Sequence, residues 1–377
     1  MDFTFTEEQQ AAVEAAKAVF AGVAPDGVPS PALSPGAVAE DFDRALWARL
    51  ADADLLSLLL DTEYGGAGLD AVALCLVLRE SAKVLARVPL LESSAAAVAV
   101  QTYGGQELKE ELLARAGRGE LVLTVAAHGR TGHDPAERAV TARQDGDVWV
   151  LDGVQTTVPW AHNADFTVVP AHTEAGRSVL ALVPRVHQGV LLAEQISTTG
   201  ERFGELRLES ARIAARDVID AEGAWEWLRE LLATGTCALA LGLGEGVLGM
   251  TSEYTSKREQ FGFPVATFQA VAVQAADRYI DLRAMEATLW QAAWRISTGA
   301  GGALPASGDV AVAKIWASEG VRRVVQTAQH LHGGFGADVD YPLHRYHAWA
   351  KQLELSLGPA PAHEEALGDL LATHQLG

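Results

Sequence analysis

A positively charged segment with an internal glycine is the first candidate for chemistry in this sequence. Residues 257–264 read Lys-Arg-Glu-Gln-Phe-Gly-Phe-Pro and follow a long apolar pattern typical of a helix. Gly262 and Pro264 end that pattern, and Phe268-Gln269 opens the next one. Arg258 would extend from the last helical turn, where it could bind a compact anion or act as an ordinary cap with a surface salt bridge. Spacing alone favours the cap.

A glycine cluster, His332-Gly333-Gly334-Phe335-Gly336, follows another apolar helical pattern. Glycine allows the backbone to approach a ligand closely, and exposed amides can hold phosphate, although a plain helix stop explains the cluster equally well. The histidines nearby suggest a metal site, but no cysteine or pair of carboxylates stands at ligand spacing. Hydrogen-bonded or surface histidines are therefore the better interpretation of His330, His332, His344 and His347.

Sequence signatures of other enzyme classes are absent. There is no Gly-x-Ser-x-Gly nucleophile elbow and no phosphate loop that ends in Gly-Lys-Ser/Thr. Residues 241–246, Leu-Gly-Leu-Gly-Glu-Gly, superficially resemble a dinucleotide fingerprint but lie in the middle of a predicted helix. We therefore expect these glycines to serve close packing between helices.

The elements that position these segments predict an α+β fold of three domains. Residues 1–115 are expected to form an N-terminal helical domain that begins with a capped helix at Thr6-Glu7-Glu8-Gln9. Residues 116–222 change to short strand patterns, typical of a small antiparallel barrel or sandwich. Residues 223–377 predict a C-terminal four-helix-bundle domain. Helices are predicted at 42–60, from about 70, at 224–257, about 267–298, about 309–330 and after 361, with a loop at 22–36 and strands at 121–125, 148–151, 166–169, 179–183 and 206–208.

The overall composition argues against several partners. The chain has 377 residues, 49% of them hydrophobic and 21% charged, and a formal net charge of −20. An acidic protein repels phosphate, so we expect no nucleic-acid partner and no membrane partner. The N-terminus has no apolar signal core, and no run approaches the roughly 20 apolar residues of a membrane span. Cys75 and Cys237 stand in apolar runs, which suggests buried reduced thiols in a cytoplasmic protein.

Together these segments resemble the acyl-CoA dehydrogenase family over most of the chain. The resemblance is strongest in the C-terminal part and extends into the first two domains through Glu63-Tyr64-Gly65-Gly66-Ala67-Gly68 and Thr198-Thr199-Gly200-Glu201. The spacing is most similar to the actinobacterial branch that acts on steroid side chains and other bulky acyl-CoAs. The C-terminal motifs are Tyr254-x-x-x-Arg258-x-Gln260-Phe261-Gly262, Phe268-Gln269, Ala276-Asp277, His332-Gly333-Gly334-x-Gly336 and Asp340-Tyr341-Pro342-Leu343.

The resemblance implies a flavoprotein that binds FAD. It places Arg258, Gln260 and Phe261 against the pyrophosphate and adenosine of FAD across a subunit interface, and Gln269 joins them. The backbone at Gly333 and Gly334 would pass close to the same dinucleotide, and His330 stands where relatives usually have a glutamine. The flavin ring would rest near Thr157 and Val158, in the stretch Thr156-Thr157-Val158-Pro159-Trp160, where many relatives have a tryptophan and a hydroxyl residue.

The reaction implied is α,β-desaturation of an acyl-CoA thioester. A carboxylate removes the α-proton, and the β-hydrogen leaves as a hydride to the flavin. The sequence departs from the family at this carboxylate. Counting without gaps places the usual glutamate at Leu357, and the position used by some relatives at Leu232. Glu230, two residues from Leu232, is the leading candidate for a displaced base.

Three interpretations of this departure remain open. The chain is a working FAD dehydrogenase with its base displaced to Glu230, or a subunit without a base that completes FAD sites with a sister chain, or a flavin enzyme of the same fold whose chemistry needs no such base. The expected partners are an acyl-CoA substrate and an electron acceptor that the sequence does not identify. The expected assembly is a homodimer, a homotetramer or a heterotetramer with a sister subunit.

Overall fold

Five helices form the N-terminal part of the chain, and side chains cap the first three. The computed structural model describes residues 4–25, 34–132, 134 and 137–374. Thr6 caps the first helix as predicted, because its hydroxyl accepts from the Gln9 N–H and the Gln9 side chain accepts from the Thr6 N–H. Asp43 and Asp70 cap the second and third helices through their carboxylates. The helices are α1 Glu7–Phe20, α2 Arg44–Asp52, α3 Ala71–Lys83, α4 Leu90–Tyr103 and α5 Gln106–Gly117.

The sequence predicted a helix over 42–60 and a loop over 22–36 in the N-terminal part. The helix predicted over 42–60 was wrong in length, because only α2 is helical there. Asp54 adopts a left-handed backbone with φ 57°, which a right-handed helix cannot continue through. Residues 26–33 of the predicted 22–36 loop lie outside the described residues, and the described remainder contains no helix or strand.

One eight-stranded sheet forms the middle part. Its strand order is β6-β7-β3-β2-β4-β5-β8, with β1 beside β4. The pairings are antiparallel except that β1 and β2 each meet β4 in parallel, so the expected β domain is present as a mixed sheet. β2 and β3 form a hairpin between β1 and β4 along the chain, so β4 can lie beside β1 and run in the same direction. The strands are β1 Leu123–Val125, β2 Val140–Asp145, β3 Val148–Pro159, β4 Phe166–His172, β5 Ser178–Pro184, β6 Val190–Ile196, β7 Arg202–Ala214 and β8 Val218–Ile219.

The C-terminal part is the predicted helical bundle around one long central helix. That helix, α6, has the predicted bounds Ala224–Lys257. A Cβ built at Gly242 would lie only 2.0 Å from the carbonyl oxygen of Arg79 on α3. The glycines of residues 241–246 therefore serve helix packing, as expected. The other elements are β9 Glu259–Gln260, β10 Phe263–Pro264, α7 Gln269–Thr298, α8 Ala306–His332, α9 Leu343–Leu355 and α10 Ala360–Thr373.

The two helical parts share one hydrophobic core, which runs from α3 and α4 into α6 and α8, whereas the β sheet has a second core. In length and composition α6 could cross a membrane, but 78% of its most apolar window is buried inside the protein. Cys75 on α3 and Cys237 on α6 are both free and buried. Burial raises the pKa of each thiol, so neither is poised to act as a nucleophile.

Candidate functional site

Residues 258–269 form an exposed segment between α6 and α7, which we call the arm. β9 and β10 make a short hairpin in which Phe261 (φ 55°) and Gly262 (φ 82°) are both left-handed. The side chain of Phe261 is 90% exposed and that of Phe263 is 61% exposed. Large apolar side chains held in solvent on a strained hairpin are typical of a surface that another chain covers.

The residues of the arm predicted to meet the dinucleotide are all exposed. They are Arg258, Gln260, Phe261 and Gln269. Within the described part of the chain, the guanidinium of Arg258 has no ion-pair or hydrogen-bond partner, whereas the neighbouring Lys257 pairs with Glu253 at 2.5 Å. An exposed guanidinium without a partner is suited to bidentate binding of a phosphate group.

The C-terminal ends of α6 and α8 lie side by side. Tyr254 on α6 stacks on His332 on α8 with the ring centroids 4.4 Å apart, and on Phe335 at 5.3 Å. The His332 ring is fixed at both nitrogens, since Nδ1 lies 2.8 Å from the Ala328 carbonyl oxygen and Nε2 lies 3.0 Å from the Tyr341 hydroxyl. These rings hold the glycine loop and the arm at one end of the molecule.

The glycine loop presents open backbone at that end. Gly333 and Gly334 are exposed, Gly333 has φ 59°, and a Cβ built at either residue would meet no atom within 4 Å. His330, one helical turn earlier, is also exposed. The loop can therefore approach a ligand through its backbone. No group of three potential metal-ligating side chains occurs in the described ranges of the chain.

A cavity of about 680 Å³, which we call the outer cavity, lies at the opposite end of α6. Its walls are the first turns of α6 and α8, the turn after α9, and α10. Glu230 and Leu357 both line it, so the structure brings the candidate base and the usual base position into one cavity. Leu232 is instead buried in the core, at 3% exposure.

The turn that carries Leu357 is held by two side chains. Leu357 (φ 58°) and Gly358 (φ 97°) are both left-handed, and Leu357 is buried. The fully buried Lys314 on α8 donates from Nζ to the carbonyl oxygen of Gly358 at 3.0 Å, and the His363 ring donates to that of Leu357 at 2.9 Å. Lys314 also binds the last carbonyls of α9, Leu353 and Glu354. Sequence reasoning missed Lys314, because its carbonyl acceptors lie 39 to 44 residues away along the chain.

Burial raises the pKa of Glu230, the candidate base. The neighbouring carboxylate of Glu226 adds to this shift, and the guanidiniums of Arg229 and Arg295 oppose it. A partly buried carboxyl with a raised pKa can accept a proton, so its chemistry alone does not exclude a catalytic role.

In the stretch predicted to face a flavin ring, Thr157 and Val158 both make contacts within the β sheet and its loops. Val158 is fully buried in the core of the β sheet. Thr157 (φ 50°) donates its N–H to Gln195 at 2.8 Å and its hydroxyl to the Gly132 carbonyl at 3.1 Å. Pro159 and Trp160 of this stretch face a cavity.

Trp160 lines a second, smaller cavity of about 90 Å³ where the three parts of the chain meet, which we call the junction cavity. The indole N–H donates to Glu92 on α4 at 3.2 Å. Burial raises the pKa of Glu92 to about 7, although the indole hydrogen bond opposes the shift. Sequence reasoning missed Glu92, which stands 68 residues from its partner.

Comparison with known proteins assigns the family. Family models named acyl-CoA dehydrogenase N-terminal domain and C-terminal domain match residues 6–120 and 230–369. The chain belongs to the acyl-CoA dehydrogenase family. It is 38% identical to acyl-CoA dehydrogenase FadE27 of Mycobacterium tuberculosis, over 88% of this chain and 89% of that protein.

Two solved structures are also similar to this acyl-CoA dehydrogenase. One is the ChsE4-ChsE5 complex of Mycobacterium tuberculosis, with 36% identity, a TM-score of 0.90 and full coverage of both chains. The other is a variant of the Tcur3481-Tcur3483 steroid ACAD, with 37% identity, a TM-score of 0.89, and coverage of 97% of this chain and 98% of that one.

FAD is the cofactor of acyl-CoA dehydrogenases, and the exposed end of this chain fits it. The guanidinium of Arg258, which is unpaired among the described residues, and the open backbone at Gly333 offer a cation and amides for a pyrophosphate. The outer cavity differs from the family pattern, because a leucine stands at the usual position of its glutamate. The chain is thus an oxidoreductase of this family in which the usual glutamate is not available as the acceptor of the α-proton.

Proposed function

We propose that this chain is the base-lacking partner subunit of a heteromeric FAD-dependent acyl-CoA dehydrogenase. The observation that carries the proposal is the turn at Leu357. Lys314 and His363 hold that turn with an aliphatic side chain on the cavity wall, and leucine cannot accept a proton. Glu354, three residues earlier, pairs with Lys351 at 2.5 Å. This turn therefore supplies no carboxylate for α-proton removal.

An uncovered apolar surface supports the need for a sister chain. None of the first twelve residues of α7 is buried, and Val273, Tyr279 and Ile280 are each more than half exposed. This surface continues the arm with its exposed Phe261 and Phe263. Most helix stability in proteins comes from packing of an apolar face, so we expect a second subunit to cover these turns.

The similar solved structures support the kind of assembly and substrate. Both are named as pairs of differently designated chains, and one is named as a steroid ACAD. We therefore assign this chain a heterotetramer with a sister subunit and a bulky acyl-CoA, such as one with a steroid side chain, as the substrate of that assembly. A net charge of −20 and two buried free thiols support a cytoplasmic protein without nucleic-acid or membrane partners.

In this assembly the chain contributes binding rather than proton transfer. Arg258 would hold the pyrophosphate of FAD, with Gln260, Phe261 and Gln269 beside the adenosine and the amides at Gly333 and Gly334 against the same dinucleotide. FAD supplies the hydride acceptor when it is bound. The sister chain would supply the carboxylate that removes the α-proton.

Separate and joint expression tests the proposal. We expect the chain purified alone to carry no FAD and to show no desaturation of an acyl-CoA. Co-expression with a second family member encoded beside it should give a complex with bound FAD and turnover. A chain that purifies alone with FAD and desaturates an acyl-CoA would contradict the proposal.

A displaced base at Glu230 is the second candidate, favoured by its place in the same cavity as Leu357 and by its raised pKa. Glu230→Gln separates the two candidates, because it keeps the shape of the side chain and removes the proton acceptor. A loss of about a thousandfold in kcat with FAD retained would support Glu230 as the base. Turnover close to that of the unmodified complex would support the partner subunit.

A further inference from the structure

One hydrogen bond between two ring side chains closes the connection from α8 to α9. Residues 333–337 form a short 3₁₀ helix after α8, and residues 338–342 lead into α9. Across this connection the Nε2 atom of His332 lies 3.0 Å from the hydroxyl of Tyr341, nine positions further along the chain. Leu343, the first residue of α9, is fully buried in the core that the helical parts share. The contact therefore joins the end of α8 to a helix that the core holds in place.

The direction of this hydrogen bond follows from the other nitrogen of the imidazole. Nδ1 of His332 lies 2.8 Å from the carbonyl oxygen of Ala328, one turn earlier on α8. A carbonyl oxygen can only accept, so Nδ1 carries the proton of the neutral ring and Nε2 is an acceptor. Burial lowers the pKa of His332, although the hydrogen bond to Ala328 opposes the shift, and this favours the neutral ring. The Tyr341 hydroxyl therefore donates to Nε2.

Aromatic contacts fix the plane of the imidazole. Tyr254, near the end of α6, stacks on His332 with the ring centroids 4.4 Å apart, and Tyr341 is tilted against it at 5.3 Å. Phe335, which belongs to the glycine loop, packs on both tyrosine rings, at 5.3 Å from Tyr254 and 4.5 Å from Tyr341. The loop thus rests on the same two tyrosines that hold the imidazole, so its position depends on all three rings.

The glycine loop also lies directly on the side chains of α8. A Cβ built at Gly336 would lie 3.0 Å from the Cβ of His332 and 2.8 Å from the side-chain nitrogen of Gln329. That nitrogen donates to the carbonyl oxygen of Gly333 at 3.1 Å. On the other face of the loop, a Cβ built at Gly333 or Gly334 would meet no atom of the described chain within 4 Å. Contacts on the packed face therefore set the orientation of the open one.

We propose that His332 and Tyr341 are positioning residues for FAD: the Tyr341 hydroxyl acts through the His332 imidazole to fix the glycine loop in the conformation that binds the dinucleotide. Both residues act through the loop, whose exposed backbone is the part that would contact FAD. A loop that is ordered before FAD arrives loses less conformational entropy on binding. The proposal rests on the proposed function, because it places FAD against this end of the chain.

Tyr341→Phe in the complex with the sister subunit tests the positioning role, with FAD as the probe. The variant keeps the ring contacts and removes the donor to Nε2. We expect the dissociation constant of FAD to rise about fivefold, the fold-change that corresponds to one net hydrogen bond. An unchanged dissociation constant would overturn the proposal.

The matched control is Tyr346→Phe. The Tyr346 hydroxyl on α9 donates to the carbonyl oxygen of Lys83 on α3 at 2.7 Å and not to the glycine loop. Both variants lose one hydrogen bond, so we expect similar losses of unfolding free energy, of about 1 kcal/mol, but weaker FAD binding only in Tyr341→Phe. Equal weakening of FAD binding in the two variants would show a merely structural effect and would contradict the positioning role.

Two substitutions of His332 separate its acceptor from its donor. Glutamine can place an oxygen near the position of Nε2, whereas the shorter asparagine reaches only the position of Nδ1. We expect His332→Gln to bind FAD about fivefold more tightly than His332→Asn, because it retains an acceptor for the Tyr341 hydroxyl. Equal dissociation constants in the two variants would overturn the role of Nε2.

Measurements on the full chain alone distinguish a failure of this proposal from a failure of the proposed function. Nitrogen NMR should show a protonated Nδ1 and an unprotonated Nε2 for His332. Amide hydrogen exchange, followed by mass spectrometry, should be faster at residues 333–337 in Tyr341→Phe and unchanged there in Tyr346→Phe. A protonated Nε2 or unchanged exchange in Tyr341→Phe would overturn the positioning role. A complex without FAD would instead contradict the proposed function, and the exchange data would still decide whether the two residues fix the loop.

Discussion

Glu230 and Arg258 stand at opposite ends of the same helix. They are 28 positions apart in the sequence, which corresponds to about 42 Å at the rise of an α-helix. An extended dinucleotide does not span that distance, so a flavin whose pyrophosphate binds Arg258 cannot meet Glu230 of the same chain. Under the proposed function, the arm and the outer cavity of one chain therefore belong to different flavin sites, as expected if FAD binds between subunits.

Substitution of Arg258 should separate cofactor binding from folding. We expect Arg258→Gln to lower the FAD content of the purified complex at least about tenfold, because a charge-assisted contact to the pyrophosphate is lost. The matched control is Lys257→Gln, the adjacent cation, which already pairs with Glu253 and should keep its FAD. Flavin absorbance per protein measures both. Equal FAD content in the two variants would contradict the role of Arg258.

Lys314 should contribute to stability through the turn at Leu357. We expect Lys314→Met to lower the free energy of unfolding by about 2–3 kcal/mol, because it leaves buried carbonyl groups of α9 and Gly358 without a donor. Burial lowers the pKa of Lys314 to about 8 from its ordinary 10.5. The unfolded chain thus binds more protons between these values, so the unmodified protein should gain stability as the pH rises from about 8 to 10.5.

Urea unfolding followed by circular dichroism measures this effect. Lys314→Met should lack the gain in stability above pH 8. Ser318→Ala is the control, since it removes one acceptor of Lys314 at 2.8 Å and leaves the three carbonyl contacts, at a cost of about 1 kcal/mol. A Lys314→Met variant as stable as the unmodified protein would show that the turn at Leu357 does not depend on Lys314 for its stability.

The parts of the fold that follow from local patterns could be predicted from the sequence. The bounds of α6 follow from an uninterrupted apolar pattern, and the start of α1 follows from the capping box at Thr6 and Gln9. The strand β6 was missed because most of its residues are exposed and give no clear alternation. The helix over 42–60 was overestimated because nothing local marks the left-handed backbone at Asp54.

The candidate site likewise contains some features that local sequence patterns predict and others that they do not. The arm and the glycine loop are continuous motifs, and the sequence alone marked them. The contacts of Lys314 with Gly358 and of Trp160 with Glu92 join residues 44 and 68 positions apart, and only tertiary structure brings them together. Val158 was expected from the motif to lie near the flavin ring, but the β-bulge between Gln155 and Val158 turns its side chain into the core of the sheet.

The titration of Glu92 should appear in the pH dependence of stability. The folded pKa of about 7 exceeds the ordinary value of 4.5, so the folded protein binds more protons between these values. The stability that Glu92 contributes is fully present below pH 4.5 and is lost as the pH rises through 7. We expect the difference in unfolding free energy between the unmodified protein and Glu92→Gln to fall by about 3 kcal/mol across this window.

Trp160→Phe is the control for that titration. The indole hydrogen bond lowers the pKa of Glu92, so its removal should extend the window to higher pH. The other titratable groups that line the junction cavity, His128, Glu201 and Arg202, are present in both proteins and cancel in the difference. A difference that does not change with pH would show that Glu92 does not titrate in this range.

Gly242 should be intolerant of any side chain. A Cβ there would lie 2.0 Å from the carbonyl oxygen of Arg79, so α3 and α6 would have to move apart at the core shared by the two helical parts. We expect Gly242→Ala to lower the free energy of unfolding by about 2–3 kcal/mol. Gly249 lies two turns further along the same helix with no atom within 4 Å of a built Cβ, so Gly249→Ala should raise stability by up to about 1 kcal/mol. Chemical unfolding of the two variants measures the difference, and similar effects in both would mean that close packing of α3 on α6 does not limit stability.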